Sequence, residues 1–165
     1  PPIRSQEHVD ALWLWGIQQG VADVLGSDHA PHTKEEKSKP YPASPSGMPG
    51  VQTLVPLMLD HVNKGRLSLE RFIDLTSGGA QRVFGTANKG RMAVSYDADL
   101  TIVDMKATKT ITHDQQATRC GWTPFDGHEV TAWPVATIVR GRVVMKDGEL
   151  IGTAHGQPVR FQETL

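Results

Sequence analysis

Apolar and polar positions alternate along this chain with two different periods, and the change between them divides it. Near the amino end, Val9, Leu12, Trp13, Gly16 and Ile17 recur at three- and four-residue steps between Ser5 and Gly20, which predicts a helix over 5–19. Pro1, Pro2 and the residues beside them are expected to be extended. The apolar run Val21-Ala22-Asp23-Val24-Leu25 predicts a short buried strand over 21–27. Residues 33–50 carry Pro40, Pro42, Pro45 and Pro49 with Gly47 and Gly50, the pattern of a long stiff loop.

Helical spacing returns at 51–63 through Val51, Leu54, Val55, Met58, Leu59 and Val62. Pro56 is accommodated if Thr53 is the N-cap, because the first turn has spare amides. Gly65 should end that helix, Ser68 should cap a shorter one to about Thr76, and a further turn from Gly79 to Phe84 should close at Gly85. His61, near a helix carboxyl end, is expected to be exposed or to face the helix dipole. Beyond Gly85 the period becomes two. Strands are expected over 99–104, 136–140 and 142–145, with Asp147-Gly148 as a tight turn and 106–132 irregular. A helical first half, with one buried strand of the kind α/β barrels use, precedes a β-rich second half.

The stretch richest in chemistry follows the predicted strand: Gly26-Ser27-Asp28-His29-Ala30-Pro31-His32-Thr33, with Lys34 and Lys37 after it. A carboxylate and two imidazoles fall within five residues, and Pro31 stops either regular structure from continuing. An acidic residue at the carboxyl end of a buried strand is where α/β barrels place their chemistry. Asp28 can bind a divalent metal through oxygen and can take and return a proton. An Asp-His near a Pro can also be a turn in which Asp caps the next backbone amides, and for an isolated Asp that is the commoner role.

Composition narrows the field. The 165 residues, one domain or parts of two, carry 21% charged side chains and a formal net charge of −1, which leaves no basic footprint for nucleic acid or an acidic membrane. The longest apolar run, Leu54 to Leu59, is interrupted by Pro56 and is too short to span a bilayer. Cys120 is the single cysteine, which excludes an intrachain disulfide and suits a reducing compartment. With neither an initiating Met nor an apolar leader, the chain is expected to be the interior of a longer, cytoplasmic protein. His8, His113, His128 and His155 have no ligand spacing.

Taken whole, Gly26 to Thr33 with Lys37 resembles the second signature of the dihydroorotases, members of the metal-dependent amidohydrolase superfamily. Ser46-Gly47-Met48-Pro49-Gly50-Val51-Gln52-Thr53 is similar to that family's substrate-contacting turn. Lys89-Gly90-Arg91 with Asp97-Ala98-Asp99-Leu100 resembles the opening of its accessory β-domain, and Gly121-Trp122-Thr123-Pro124-Phe125-Asp126-Gly127 resembles a segment near its carboxyl end. Pro1 to Arg4 resembles the stretch after barrel strand seven, without the Asn that usually precedes it. Ser95 stands where relatives commonly have Gly.

The resemblance implies the carboxyl-terminal part of a TIM barrel over 1–85, with its last strand and helices, and part of an accessory β-sandwich domain over 86–165. It implies reversible hydrolysis and cyclisation between L-dihydroorotate and N-carbamoyl-L-aspartate, with one or two Zn²⁺ whose other ligands precede residue 1. Asp28 would then be metal ligand and proton carrier, and His32, Ser46 and Gly47 would contact substrate. His29 receives no role beyond packing or orienting the loop, and Arg4 lies either at the mouth of the site or in solvent. Expected partners are the small-molecule substrate, a second copy of the chain in a homo-oligomer, and aspartate transcarbamoylase. The alternatives are a hydantoinase or allantoinase, and a silent subunit that scaffolds the transcarbamoylase. Alone, these 165 residues are expected to be inactive, because one barrel strand and one carboxylate close neither a barrel nor a metal site.

Overall fold

The computed structural model describes residues 4–162, so Pro1, Pro2 and Ile3, expected to be extended, lie outside the described residues. The first helix is present: α1 (Gln6–Ala11) runs without a break into a π-helical stretch, Leu12–Gln18, and the chain leaves it at Gly20, whose φ is 81°. Its start is Ser5, whose hydroxyl donates to the Glu7 carboxylate and caps no amide.

The expected strand over 21–27 does not form. Residues 21–28 belong to no ladder, and Val21 is 72% exposed. A parallel strand needs neighbours on both edges, and the described residues supply none. The segment instead lies across the helices: the Ala22 amide donates to the Gly16 carbonyl and the Leu25 amide to that of Leu75. Gly79 makes this contact possible, because a Cβ there would stand 2.0 Å from the Asp23 carbonyl oxygen.

Within the proline-rich stretch a short helix appears, α2 (Lys34–Lys37). Thr33 and Glu36 form its capping box, the Thr33 hydroxyl accepting from the Glu36 amide and the Glu36 carboxylate from the Thr33 amide. Then come α3 (Leu54–Asn63), begun at Thr53 as expected, and α4 (Leu69–Ile73), where Ser68 accepts from the Arg71 amide. A π turn, Asp74–Gly78, carries α4 on into α5 (Gly79–Phe84), and Gly85 closes it with φ 60°.

Four antiparallel strands follow in meander order: β1 (Leu100–Thr110), β2 (Glu129–Val139), β3 (Arg142–Lys146) and β4 (Glu149–Leu150). Both hairpin turns use paired positive φ angles, at Arg140-Gly141 and at the expected Asp147-Gly148. β1 and β2 reach well into the stretch expected to be irregular. The sequence period is broken there because the register shifts between Asp104 and Thr108, with Ala132 at φ 108°. Helix α3 satisfies the backbone groups this bulge leaves free. Asp60 accepts the Thr131 amide at 3.1 Å, and Asn63 donates to the carbonyls of Met105 and Thr131.

Helices and sheet thereby share one core. Ile17, Leu59, Leu67, Phe72 and Leu75 pack with Ala132, and Val103 and Met105 lie against them. The Lys89…Asp97-x-Asp99 pattern also finds its reason. The Lys89 ammonium sits between the two carboxylates, and Asp99 and Asp97 in turn hold the Arg140 amide and guanidinium, fastening the lead-in of β1 to the β2–β3 turn. The Asp99 partner comes first in raising the Lys89 pKa above the ordinary lysine value.

Candidate active site

Asp28 stands at a backbone position that few residues accept, φ 45°, and is exposed. Asp tolerates this left-handed geometry better than most side chains, and strain of this kind concentrates at functional sites. One residue on, His29 bridges to Met48, and the Ala30 amide donates to the Met48 carbonyl at 3.1 Å. The His29 Nδ1 accepts the amides of Gly50 and Val51 at 3.1 and 3.3 Å, which places the proton of a neutral ring on Nε2. His29 is therefore the clamp between the signature and the Ser46–Gly50 turn, an orienting role.

The glycines of that turn permit the apposition. Gly47, at φ 100°, would with a Cβ come within 2.8 Å of the Ala30 Cβ and 3.6 Å of the His32 ring. At Gly50 a Cβ would stand 2.8 Å from the Ser27 carbonyl oxygen. No other residue type fits at Gly47 without moving the signature. His32 and Gly47 are thus brought together, with Ser46 exposed beside them. Asp28 lies on the same segment, next to the His29 clamp.

His32 is half-buried and held from two sides. Its Nδ1 is 3.3 Å from the Glu36 Oε2, and its carbonyl accepts the Trp122 indole N–H at 2.7 Å. The Thr33 amide comes first in keeping the Glu36 carboxyl below the ordinary glutamate value, and His32 adds to it. With Nδ1 turned to a carboxylate, an anion at Nε2 would require the imidazolium. Lys37 fixes the turn from beneath, donating to the carbonyls of Pro45 at 2.7 Å and Gly47 at 3.1 Å. Gln52 ties the following residues to the 115–117 segment through the Gln115 carbonyl and the Ala117 amide. A hollow of about 260 Å³ opens between His29, Pro49–Gln52 and Gln116–Thr118.

His113, His155 and His61 are engaged within the fold. His113 accepts the Thr123 amide, and His155 pairs with the Val139 carbonyl. His61 corrects the sequence expectation. It packs edge-on to Trp13 with ring centroids 4.5 Å apart, and its Nδ1 is buried without a partner among the described residues. Burial, with Arg66 next, holds its pKa below the ordinary histidine value. It lies inward because Trp13 of the first helix covers the α3 face that carries it. Arg4 is exposed. Trp122 and Gln52 lie within sequence motifs, but nothing local assigns either a role. Their partners lie 90 and 63 to 65 positions away, beyond any local signal.

Among the described residues, no three His, Cys, Asp or Glu side chains converge as metal ligands. Asp28 offers one carboxylate, and one carboxylate is no chelate, so the donors among the described residues do not make up a metal site.

Residues 4–144 match the Amidohydrolase family profile. The chain belongs to the amidohydrolase family. Proteins named dihydroorotase from Pyrococcus furiosus and Halobacterium salinarum are 43% and 42% identical to it, over 96% and 97% of this chain. The chain spans only 36% and 37% of their lengths. In fold, this amidohydrolase segment is similar to the L-hydantoinase (dihydropyrimidinase) of Arthrobacter aurescens, at TM-score 0.85 and 39% identity over 92% of this chain and 35% of that one. It is similar also to the D-hydantoinase (dihydropyrimidinase) of a Thermus species, at TM-score 0.86 and 34% identity over 93% and 34%. No helix among the described residues is long and apolar enough to cross a membrane.

Proposed function

We propose that this chain is the carboxyl-terminal part of a cytoplasmic dihydroorotase, which interconverts L-dihydroorotate and N-carbamoyl-L-aspartate. The observation that carries the reading is His32 held beside Gly47 on the segment that presents Asp28. Opening a cyclic amide that bears a carboxylate needs a proton carrier at the ring nitrogen and a cation for the acid. Asp28 and His32 are suited to those parts.

On this reading Asp28 accepts a proton from the attacking water and returns it to the departing ring nitrogen. His32, as imidazolium through Nε2, holds the substrate carboxylate. Ser46 and Gly47 offer backbone to the ring, which the bare Gly47 lets approach closely. Zinc, one or two ions, would take the Asp28 carboxylate together with ligands beyond these 165 residues. Residues 1–85 then form the end of a TIM barrel and 86–165 part of an accessory β-sandwich domain. The 165 residues alone are inactive on this reading. Assembly as a homo-oligomer, and with an aspartate transcarbamoylase, belongs to the same proposal.

The hydantoinase reading has its own support in the likeness of fold. It leaves the anion-directed arrangement of His32 without a use. The test is to assay the full-length protein with dihydroorotate, carbamoyl-aspartate, hydantoin and allantoin. Turnover of the first pair alone supports the reading, and turnover of hydantoin or allantoin in preference to dihydroorotate overturns it.

A further inference from the structure

We infer that Trp122 is a positioning residue for His32, and that through this contact the 111–128 segment sets the site's grip on a carboxylate-bearing ring. The inference rests on the proposed role of His32. The indole Nε1–H reaches the His32 carbonyl at 2.7 Å across 90 positions of sequence. Pro31, which has no N–H, precedes His32, and no regular element holds the chain until Lys34. The peptide group after His32 is thus held at both ends, its carbonyl by the indole and its Thr33 N–H by the Glu36 carboxylate. The indole is the half of that hold that comes from outside the segment, and it steers the direction in which the imidazole leaves the backbone. Glu36 fixes the ring's rotation at Nδ1. Remove the indole donor, and the constraint on the imidazole that Glu36 does not supply is gone.

The donor itself is firmly mounted. Thr123, 2% exposed, gives its amide to His113 Nδ1 and accepts the Phe125 amide on its hydroxyl. Asp126 accepts the His113 amide at 2.8 Å. The turn closes on Ile111, which is fully buried, through Gly127 N–H to the Ile111 carbonyl and Ile111 N–H to that of His128. Gln52 fastens the same segment a second time, beside the Ser46–Gly50 turn. A rigid loop anchored on both sides of the candidate site, with its one indole N–H aimed at the anion-binding residue, is an orienting device. Trp122 touches no reacting atom in this arrangement.

The experiment is a mutant cycle in the full-length protein with dihydroorotate as substrate, using Trp122→Phe, His32→Ala and the double variant. Trp122→Phe keeps an aromatic ring and removes the donor. It should raise KM about three- to ten-fold, the worth of one hydrogen bond, and leave kcat within about two-fold. In the His32→Ala background the same change should add nothing to KM, since the group it orients is absent. If Trp122→Phe lowers the melting temperature, a benzothienyl-alanine at position 122 repeats the measurement, because it keeps the indole outline without the N–H. Equal KM effects in both backgrounds, a fall in kcat at constant KM, or no effect in either donor-free variant would overturn the inference. A wild-type protein that leaves dihydroorotate untouched would instead sink the functional reading itself.

Discussion

Lys37 donates to the carbonyl of Gly47 at 3.1 Å and so couples helix α2 to the turn that faces His32. The same ammonium holds the Pro45 carbonyl, which makes it the strut of a loop whose prolines forbid a ladder. Lys37→Met keeps most of the stem and removes both bonds. It should cost about 1–3 kcal/mol and speed amide exchange at residues 46–50. Hydrogen exchange with the melting temperature checks this; unchanged exchange there would show that the turn holds itself.

Ser95 occupies φ 71°, a left-handed position between the Lys89 and Asp99 anchors. The sequence resemblance flags the position as one where Gly is usual, and the backbone gives the reason. Ser95→Gly should stabilise the protein by about 0.5–1 kcal/mol, since the steric penalty of the left-handed region outweighs the added freedom of the unfolded chain. A denaturant midpoint that moves down would contradict it.

His61 makes stability depend on pH. Its folded pKa lies below the ordinary value of 6.5, because burial leads and the Arg66 and Lys64 cations assist, against Asp60. Between the two values the unfolded chain binds more protons, so stability is complete above 6.5 and falls as pH drops toward the folded pKa. His61→Phe keeps a ring against Trp13 and cannot protonate. It should flatten the fall in stability that sets in as pH drops below 6.5, read by chemical denaturation at several pH values. An unchanged slope would assign the dependence to another group.

Much of the fold was legible because it is local. Gly20, Gly65, Gly85 and Asp147-Gly148 terminate or turn the chain through backbone angles that single residues dictate. Ser68 caps through its own side chain. What escaped depends on distant partners or on their absence. The apolar run at 21–25 has strand composition and forms no ladder here. The alternation predicts β1 and β2 shorter than they are, because the bulge at Asp104–Thr108 breaks it and is filled by Asp60 and Asn63 from α3. The four-residue α2 was hidden among prolines, although Thr33-x-x-Glu36 is a capping-box pattern. At the site, the contact of signature and turn agrees with the motifs, whereas the Trp122 and Gln52 ties required the fold.

The measurement that bears most directly on the central claim is Asp28→Asn in the full-length protein, followed in both directions of the reaction. The amide keeps the side chain's size and its left-handed backbone position, and loses the base. Hydrolysis of dihydroorotate and cyclisation of carbamoyl-aspartate should fall together, by at least about 10²–10⁴-fold, with the melting temperature held. Near-normal turnover in both directions would contradict the assignment of Asp28 as the proton carrier.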